Sequence, residues 1–192
     1  MSHTRILITG PPGCGKTTLI KNIVQKLRNK GISCDGFFTE ELRVNGVRRG
    51  FDIVTLNHDS RYPLAYISNT RGENRGPSVG RYAVNIDSIN SALQKVFSDE
   101  DSSPKVLIID EIGKMELLSE RFEYIVKRHF HDKSNVIVAS IPVERKNLPF
   151  VEQLCQLPNV ELISVNVGNR NLLVDELTDR ITQLYSKIQD KE

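Results

Sequence analysis

A glycine-rich stretch near the start of the chain has the residue types and the spacing needed to bind a triphosphate. It matches the pattern G-x-x-x-x-G-K-[ST] in full, with Gly10, Pro11, Pro12, Gly13, Cys14, Gly15, Lys16 and Thr17 in order. Glycines let backbone N–H groups turn toward phosphate oxygens, and the N-terminus of a following helix adds unpaired donors. We expect Lys16 to reach the β- and γ-phosphates and the Thr17 hydroxyl to ligate Mg²⁺. A plain turn between a strand and a helix is the alternative interpretation.

Two carboxylates follow an apolar run in the middle of the chain. The sequence KVLIIDEIG places Asp110 and Glu111 directly after Ile109. In open α/β sheets, ligands bind at the carboxyl ends of the parallel strands. We expect Asp110 to hold the Mg²⁺ shell, and Glu111 to orient or deprotonate a water molecule that attacks the γ-phosphate. The sequence leaves open which of the two touches the metal, and acids that only stabilise a helix start are the alternative.

Weaker candidates surround these two segments. An arginine can stabilise charge that develops on the γ-phosphate, and Arg170 is preferred because it follows a predicted strand. Ser140 ends the predicted strand VIVAS, where a polar residue could sense the γ-phosphate. The alternative interpretation of the arginines is that they are solvated charges on loops. The alternative for the acidic candidates Glu40, Glu41 and Asp52 is that they lie on an exposed face of the hairpin. Further candidates of the same kinds are Arg48, Arg49, Arg71, Arg75, Glu40, Glu41 and Asp52. The four histidines, at positions 3, 58, 129 and 131, lack the spacing of metal ligands.

The elements that must position these residues alternate between strand and helix. Apolar runs predict strands at 6–9, 32–39, 82–85, 105–109, 135–141 and 160–165. Helical periodicity predicts five helices. One starts at Lys16, one is capped by Asp87, one follows Gly113 with Met115 facing inward, one spans 150–157, and one starts near Asn171. This alternation predicts an α/β fold whose mainly parallel sheet has helices on both faces.

One region interrupts that alternation. Asn45-Gly46 between two strand-like arms is a strong hairpin signal. Residues 57–81 are rich in turn formers and arginine, and we expect a loop there. We therefore predict a single domain over residues 1–192, with a β-hairpin and loop insertion at about 40–85.

Composition narrows the class of protein. The chain is 39% hydrophobic and 26% charged, and its net charge of +2 gives no indication of nucleic-acid binding. Its hydrophobic runs are too short for a membrane span, and the N-terminus lacks a secretory signal. Three scattered cysteines indicate neither a disulfide framework nor a zinc site, so we expect a reducing, cytoplasmic location.

Several longer segments, in order, resemble a known family. They are GPPGCGKTTLI, DGFFTEELR, RRGFDIVTL, VLIIDEIGKMEL, VIVASIP and NRN. The chain resembles the THEP-type nucleoside-triphosphatases over nearly its full length, although residues 57–80 match poorly. The resemblance implies a RecA-like P-loop fold and Mg²⁺-dependent hydrolysis of ATP, GTP, CTP and other nucleoside triphosphates. It also implies a second nucleotide-binding segment at Val106, Leu107, Ile108, Ile109, Asp110, Glu111, Ile112 and Gly113.

Two other functions stay open at the level of sequence. A P-loop kinase could transfer the γ-phosphate to a nucleotide or a polynucleotide 5′-hydroxyl, with the arginine-rich loop as a lid. A nucleotide-switched binding module could dock a partner on residues 57–81. The guanine-selective pattern N-K-x-D is absent from the sequence, which favours relaxed base specificity. We expect a monomer.

Overall fold

The computed structural model describes residues 4–57, 59–67, 76–97 and 103–190. In chain order its elements are β1 (Arg5–Thr9), α1 (Lys16–Asn29), β2 (Cys34–Val44), β3 (Val47–Thr55), β4 (Arg61–Ile67), β5 (Ser78–Val79), β6 (Tyr82–Val84), α2 (Ile86–Val96), β7 (Val106–Asp110), α3 (Glu120–His131), β8 (Val136–Ile141), α4 (Pro149–Cys155), β9 (Val160–Ser164) and α5 (Leu172–Gln189). A 3₁₀ turn at Glu116–Leu118 precedes α3.

The described strands form a single mixed sheet. Their order is β5-β6-β4-β3-β2-β7-β8-β1-β9. The five strands from β2 to β9 pair in parallel, and β3, β4, β6 and β5 continue the sheet in antiparallel pairs. Parallel strands direct their carboxyl ends to the same edge, so the residues after β1, β7, β8 and β9 meet there. The predicted α/β fold is confirmed.

Helices cover both faces of the parallel strands. On one face, Ile6 and Ile8 of β1 belong to a core with Ile23 of α1 and Ile181 of α5. On the other face, Leu7 of β1 belongs to a core with residues of α2, α3 and α4. Every residue of β1, β7 and β8 is buried, as expected for strands packed on both sides.

The region 57–81, predicted as a loop, contains the strands β4 and β5, so that prediction was wrong for part of it. β4 lies between β3 and β6 and buries Leu64 and Ala65. The sequence pattern did not predict β4 because it contains Pro63, and proline normally argues against a central strand. Here Pro63 faces Asp52 next to an irregularity in the register between β3 and β4, where a missing N–H is tolerated.

Two predicted helix starts also need correction. The Asn85 side chain, and not Asp87, caps α2 by accepting a hydrogen bond from the Ser88 N–H at 3.0 Å. The segment after Gly113 is not one helix, because Ser119 separates the 3₁₀ turn from α3. Ser119 accepts a hydrogen bond from the Phe122 N–H at 3.1 Å, which is the ordinary role of an N-cap serine.

The described helices include both amphipathic surface helices and short segments. None of them is long and apolar enough to cross a bilayer.

Candidate nucleotide site

The glycine-rich loop joins β1 to α1 at the carboxyl edge of the sheet. Gly13 and Gly15 have φ angles of 76° and 104°, a left-handed conformation that only glycine adopts without strain. Gly10 needs to be glycine for another reason, because a Cβ there would lie 2.3 Å from the carbonyl oxygen of Val165. The first N–H groups of α1 have no acceptor within the helix, so they are available to an anion in this loop.

Lys16 folds back over this loop. Its Nζ donates a hydrogen bond to the Gly10 carbonyl at 3.0 Å. The same Nζ lies 3.9 Å from Oε2 of Glu111, and the lysine side chain is only 12% exposed. The cation predicted to bind phosphate and the carboxylate predicted to act as base therefore face each other across the loop.

Asp110 lies at the end of β7 and is almost fully buried. Ser140, at the neighbouring position on β8, donates a hydrogen bond to Oδ1 of Asp110. Burial raises the pKa of Asp110; hydrogen bonds from Ser140 and Thr17 and the charge of Lys16 oppose that rise. Within the described part of the chain, Oδ2 of Asp110 has no hydrogen-bond partner.

The residues around Asp110 fit a magnesium ion. Thr17 and Asp110 supply a hydroxyl and a carboxylate side by side. The unpartnered Oδ2 of Asp110 can coordinate a cation or accept a hydrogen bond from a water bound to that cation. The described residues contain no cluster of three acidic, histidine or cysteine side chains that could hold a metal by themselves. Mg²⁺ commonly uses only one or two protein carboxylates and takes its other ligands from substrate phosphate and water.

Glu111 follows Asp110 at the lip of the sheet, and its side chain is about one-third exposed. The Ile112 N–H donates to the Ser140 carbonyl at 2.8 Å and holds this turn against β8. Partial burial raises the pKa of Glu111, the charge of Lys16 lowers it, and the charge of Asp110 raises it. Its position between solvent and the loop suits a group that must contact a water molecule.

Glu116 is a buried acid that the sequence predictions did not single out. A Cβ on Gly113 would lie 2.8 Å from Oε1 of Glu111 and 3.0 Å from Oε2 of Glu116, so the two carboxyl groups share the space that this glycine leaves. Burial and the charge of Glu111 raise the pKa of Glu116 to about 8. The sequence signal for this residue was an acid within the apolar segment KMELL, at a position that faces inward.

Arg170 lies against the outside of the phosphate loop. Its Nη1 donates to the Cys14 carbonyl at 3.3 Å, and its Cδ would be 2.9 Å from a Cβ on Gly15. The structure therefore brings Arg170 and Ser140 to the site region. The action of either residue on the γ-phosphate remains a prediction.

Most of the remaining candidates on the hairpin already have partners within the protein. Glu41 pairs with Arg43 and Arg48, and Glu40 pairs with Lys21 and Arg61. The buried carboxylate of Asp52 accepts a hydrogen bond from the Tyr66 hydroxyl, whereas Arg49 is exposed. Arg71, Arg75, His3 and His58 lie outside the described residues.

Comparisons with known proteins find similar chains. A family model described as NTPase matches residues 5–178. The human cancer-related nucleoside-triphosphatase is 38% identical over 178 residues, covering 90% of this chain and 93% of the relative. Nucleoside-triphosphatase THEP1 of Thermotoga maritima is 37% identical, covering 90% and 92%.

Two solved structures are also similar to this chain. The crystal structure of THEP1 from Aquifex aeolicus has a TM-score of 0.74 and 35% identity, covering 90% of this chain and 96% of that chain. The solution structure of the human protein has a TM-score of 0.81 and 37% identity, covering 95% and 98%.

Proposed function

The chain belongs to this NTPase family, and from that premise we propose that it hydrolyses nucleoside triphosphates to diphosphate and phosphate, with Mg²⁺ and with little selectivity for the base. The relatives are named nucleoside-triphosphatases, which supports the reaction class. The observation that carries the proposal is the separation of 3.9 Å between Lys16 Nζ and Glu111 Oε2 across the phosphate loop.

Each residue has a defined task in this reaction. N–H groups of the loop and of the first turn of α1 bind phosphate oxygens, and Lys16 exchanges its carbonyl acceptor on Gly10 for the β- and γ-phosphates. Glu111 orients a water molecule and accepts its proton as the water oxygen bonds to the γ-phosphorus and the bond to the β–γ bridging oxygen breaks. Mg²⁺, held with Thr17 and Asp110, would neutralise charge on the phosphates.

Relaxed base specificity and a cytoplasmic location are parts of the same proposal. Phosphate-binding groups grip the part of the substrate that all nucleoside triphosphates share, and the sequence lacks the N-K-x-D pattern that selects guanine. Three cysteines without disulfide bonds suit a reducing compartment.

Phosphate release from ATP, GTP, CTP and UTP tests the proposal. We expect release from all four with water as the sole acceptor, with kcat/KM values within roughly tenfold of each other, a factor equivalent to about 1.4 kcal/mol. Excess EDTA should abolish release, and added Mg²⁺ should restore it.

The same assay tests the alternative that the protein is a kinase, which the comparisons do not support. Nucleosides, nucleoside monophosphates and 5′-hydroxyl oligonucleotides are added as acceptors. Release that occurs only with an acceptor, with the phosphate found on that acceptor, would overturn the hydrolase proposal.

A further inference from the structure

The turn between β9 and α5 packs directly against the phosphate loop. The Val165 carbonyl lies against Gly10, at 2.3 Å from the position of a Cβ there. Five residues later, Arg170 hydrogen-bonds to the Cys14 carbonyl and contacts Gly15. This turn therefore borders the phosphate loop at both of its ends.

Within this turn, Val167 lies on the same face as Arg170. The Arg170 N–H donates to the Asn166 carbonyl at 3.1 Å, and the Leu173 N–H donates to the Asn169 carbonyl at 3.1 Å, so the segment has helical geometry. Residues three apart on a helical turn are neighbours on its surface. Arg170 contacts the phosphate loop, so the helical spacing places Val167 next to Arg170 on this surface, and Val167 is 67% exposed.

Three of the four side-chain polar atoms of Asn166 and Asn169 form hydrogen bonds within this turn. Oδ1 of Asn166 accepts hydrogen bonds from the N–H groups of Gly168 and Asn169. Oδ1 of Asn169 accepts from the Asn166 N–H, and its Nδ2 donates to the Ser164 carbonyl. These bonds hold the turn in shape and leave these groups unable to read the hydrogen-bonding edge of a base.

We propose that Val167 and Arg170 form a stacking surface for the nucleobase of the triphosphate bound in the phosphate loop. This inference rests on the proposed function. A valine side chain and a planar guanidinium with its alkyl stem offer contact to the flat face that every nucleobase has. Such a surface gives affinity for the nucleoside without selecting among bases, since selection requires hydrogen bonds to the base edge.

The variant Val167→Ser tests this surface. We measure KM and kcat for ATP, GTP, CTP and UTP, and for inorganic tripolyphosphate as a substrate without a base. We expect KM for all four nucleotides to rise about fivefold, because serine removes the apolar surface that one valine would bury against the base. We expect kcat for the nucleotides, and both constants for tripolyphosphate, to stay unchanged. Val167→Leu should keep the wild-type KM.

Leu172→Ser is the matched control. Leu172 is 76% exposed and lies five residues after Val167, on a different face of the helical turn. It should leave every constant at the wild-type value. An increase in KM equal to that of Val167→Ser would show that the surface is not specific.

Three other results would overturn the inference. They are an unchanged nucleotide KM in Val167→Ser, an equal rise for tripolyphosphate, and a rise confined to one base. If the wild-type chain cleaves no nucleotide, the proposed function fails. The stacking surface is then tested by calorimetric binding of a non-hydrolysable ATP analogue and of tripolyphosphate, where only the former should weaken in Val167→Ser.

Discussion

The parallel and antiparallel halves of the sheet treat charge in opposite ways. In the parallel half, the fully buried strands β1, β7 and β8 carry only two charged residues, Arg5 and Asp110, and Glu116 is buried after β7. In the antiparallel half, Asp52 is buried, but most of the described charges are paired near the surface, as in the cluster of Glu41 with Arg43 and Arg48. Surface ion pairs contribute little to stability, whereas a buried charge is retained only where the fold satisfies it.

Arg5 shows what satisfying a buried charge requires. Its guanidinium donates to the Phe130 and His129 carbonyls, near the C-terminus of α3, and to the Asn135 carbonyl at the start of β8. The negative end of the α3 dipole favours a cation at this place. Burial lowers the pKa of Arg5 to about 10, partly opposed by the charge of Asp132. The comparison teaches that buried charges in the parallel half hold helices and the residues of the site in position. We therefore expect substitutions there to change activity and stability more than substitutions in the antiparallel half.

Glu111→Gln should cause the largest loss of activity among these variants. It tests whether a charged group at the edge of the parallel half carries the chemistry. Removing a positioned general base is expected to lower kcat roughly 10²- to 10⁴-fold. The amide keeps the size of the side chain, so nucleotide binding should stay close to the wild-type level. Single-turnover hydrolysis and equilibrium binding of ATP measure the two quantities. Normal cleavage would show that Glu111 is not the base.

Lys16→Ala should act on binding. Loss of charged hydrogen bonds to phosphate, each contributing roughly 1.5–3 kcal/mol, should weaken ATP binding about 10- to 100-fold. Titration calorimetry with a non-hydrolysable ATP analogue measures this change. Lys114→Ala serves as the control, because Lys114 is exposed and close to the site in sequence. Equal affinity in Lys16→Ala and the wild type would place the triphosphate elsewhere.

Glu116→Gln should change the pH dependence of stability. The pKa of Glu116 is about 8 in the folded protein against an ordinary value of 4.5, so the folded state binds a proton that the unfolded state has released. The free energy of unfolding contributed by this group therefore falls as pH rises from about 4.5 to 8, and the loss is complete above pH 8. Glutamine removes that loss, and we expect the variant to be more stable than the wild type by roughly 4 kcal/mol at pH 8.

Urea unfolding at pH 5, 6.5 and 8 measures the difference. Glu111 and Asp110 also face this carboxyl group, so the measurement is repeated in Glu111→Gln to separate their charges from that of Glu116. Glu123→Gln, at an exposed position of α3, is the control. A stability difference between Glu116→Gln and wild type that stays the same at all three pH values would contradict the prediction.

Glu41→Gln should have the smallest effect and tests the antiparallel half. It removes the ion pairs with Arg43 and Arg48, all three of them partly exposed. We expect a loss of no more than about 0.5 kcal/mol in the free energy of unfolding and no change in kcat. A loss above about 2 kcal/mol would break the comparison, because it would make these surface pairs as costly to disturb as a buried group.

Local sequence patterns predicted most of the fold, and the errors in that prediction have local causes. Asn45-Gly46 identified the hairpin between β2 and β3, and the apolar run at 105–109 identified β7. The strand β4 was missed because Pro63 interrupted its alternation, and its place depends on pairing with β3 and β6. The end of the 3₁₀ turn at Ser119 was missed because its inward-facing residues continue the helical spacing of α3.

The candidate site divides in the same way. The phosphate loop and the acidic pair are each contiguous, so residue type and spacing were enough to find them. Glu116 was not found, because its burial beside Gly113 and Glu111 arises only when the 3₁₀ turn packs against α2 and α3. The position of Val167 beside the phosphate loop likewise depends on β9 pairing with β1, more than 150 residues earlier in the chain.

The sequence by itself determined which segments form strands and helices, the loop that grips a triphosphate, and the family. These depend on backbone preferences and on periodicity, which act between residues close together in the chain. Only the tertiary structure decided which side chains meet: Lys16 with Glu111, Ser140 with Asp110, and Arg170 with Cys14. Those contacts join residues from about 30 to more than 150 positions apart, and they exist only once the parallel strands bring their carboxyl ends to one edge of the sheet.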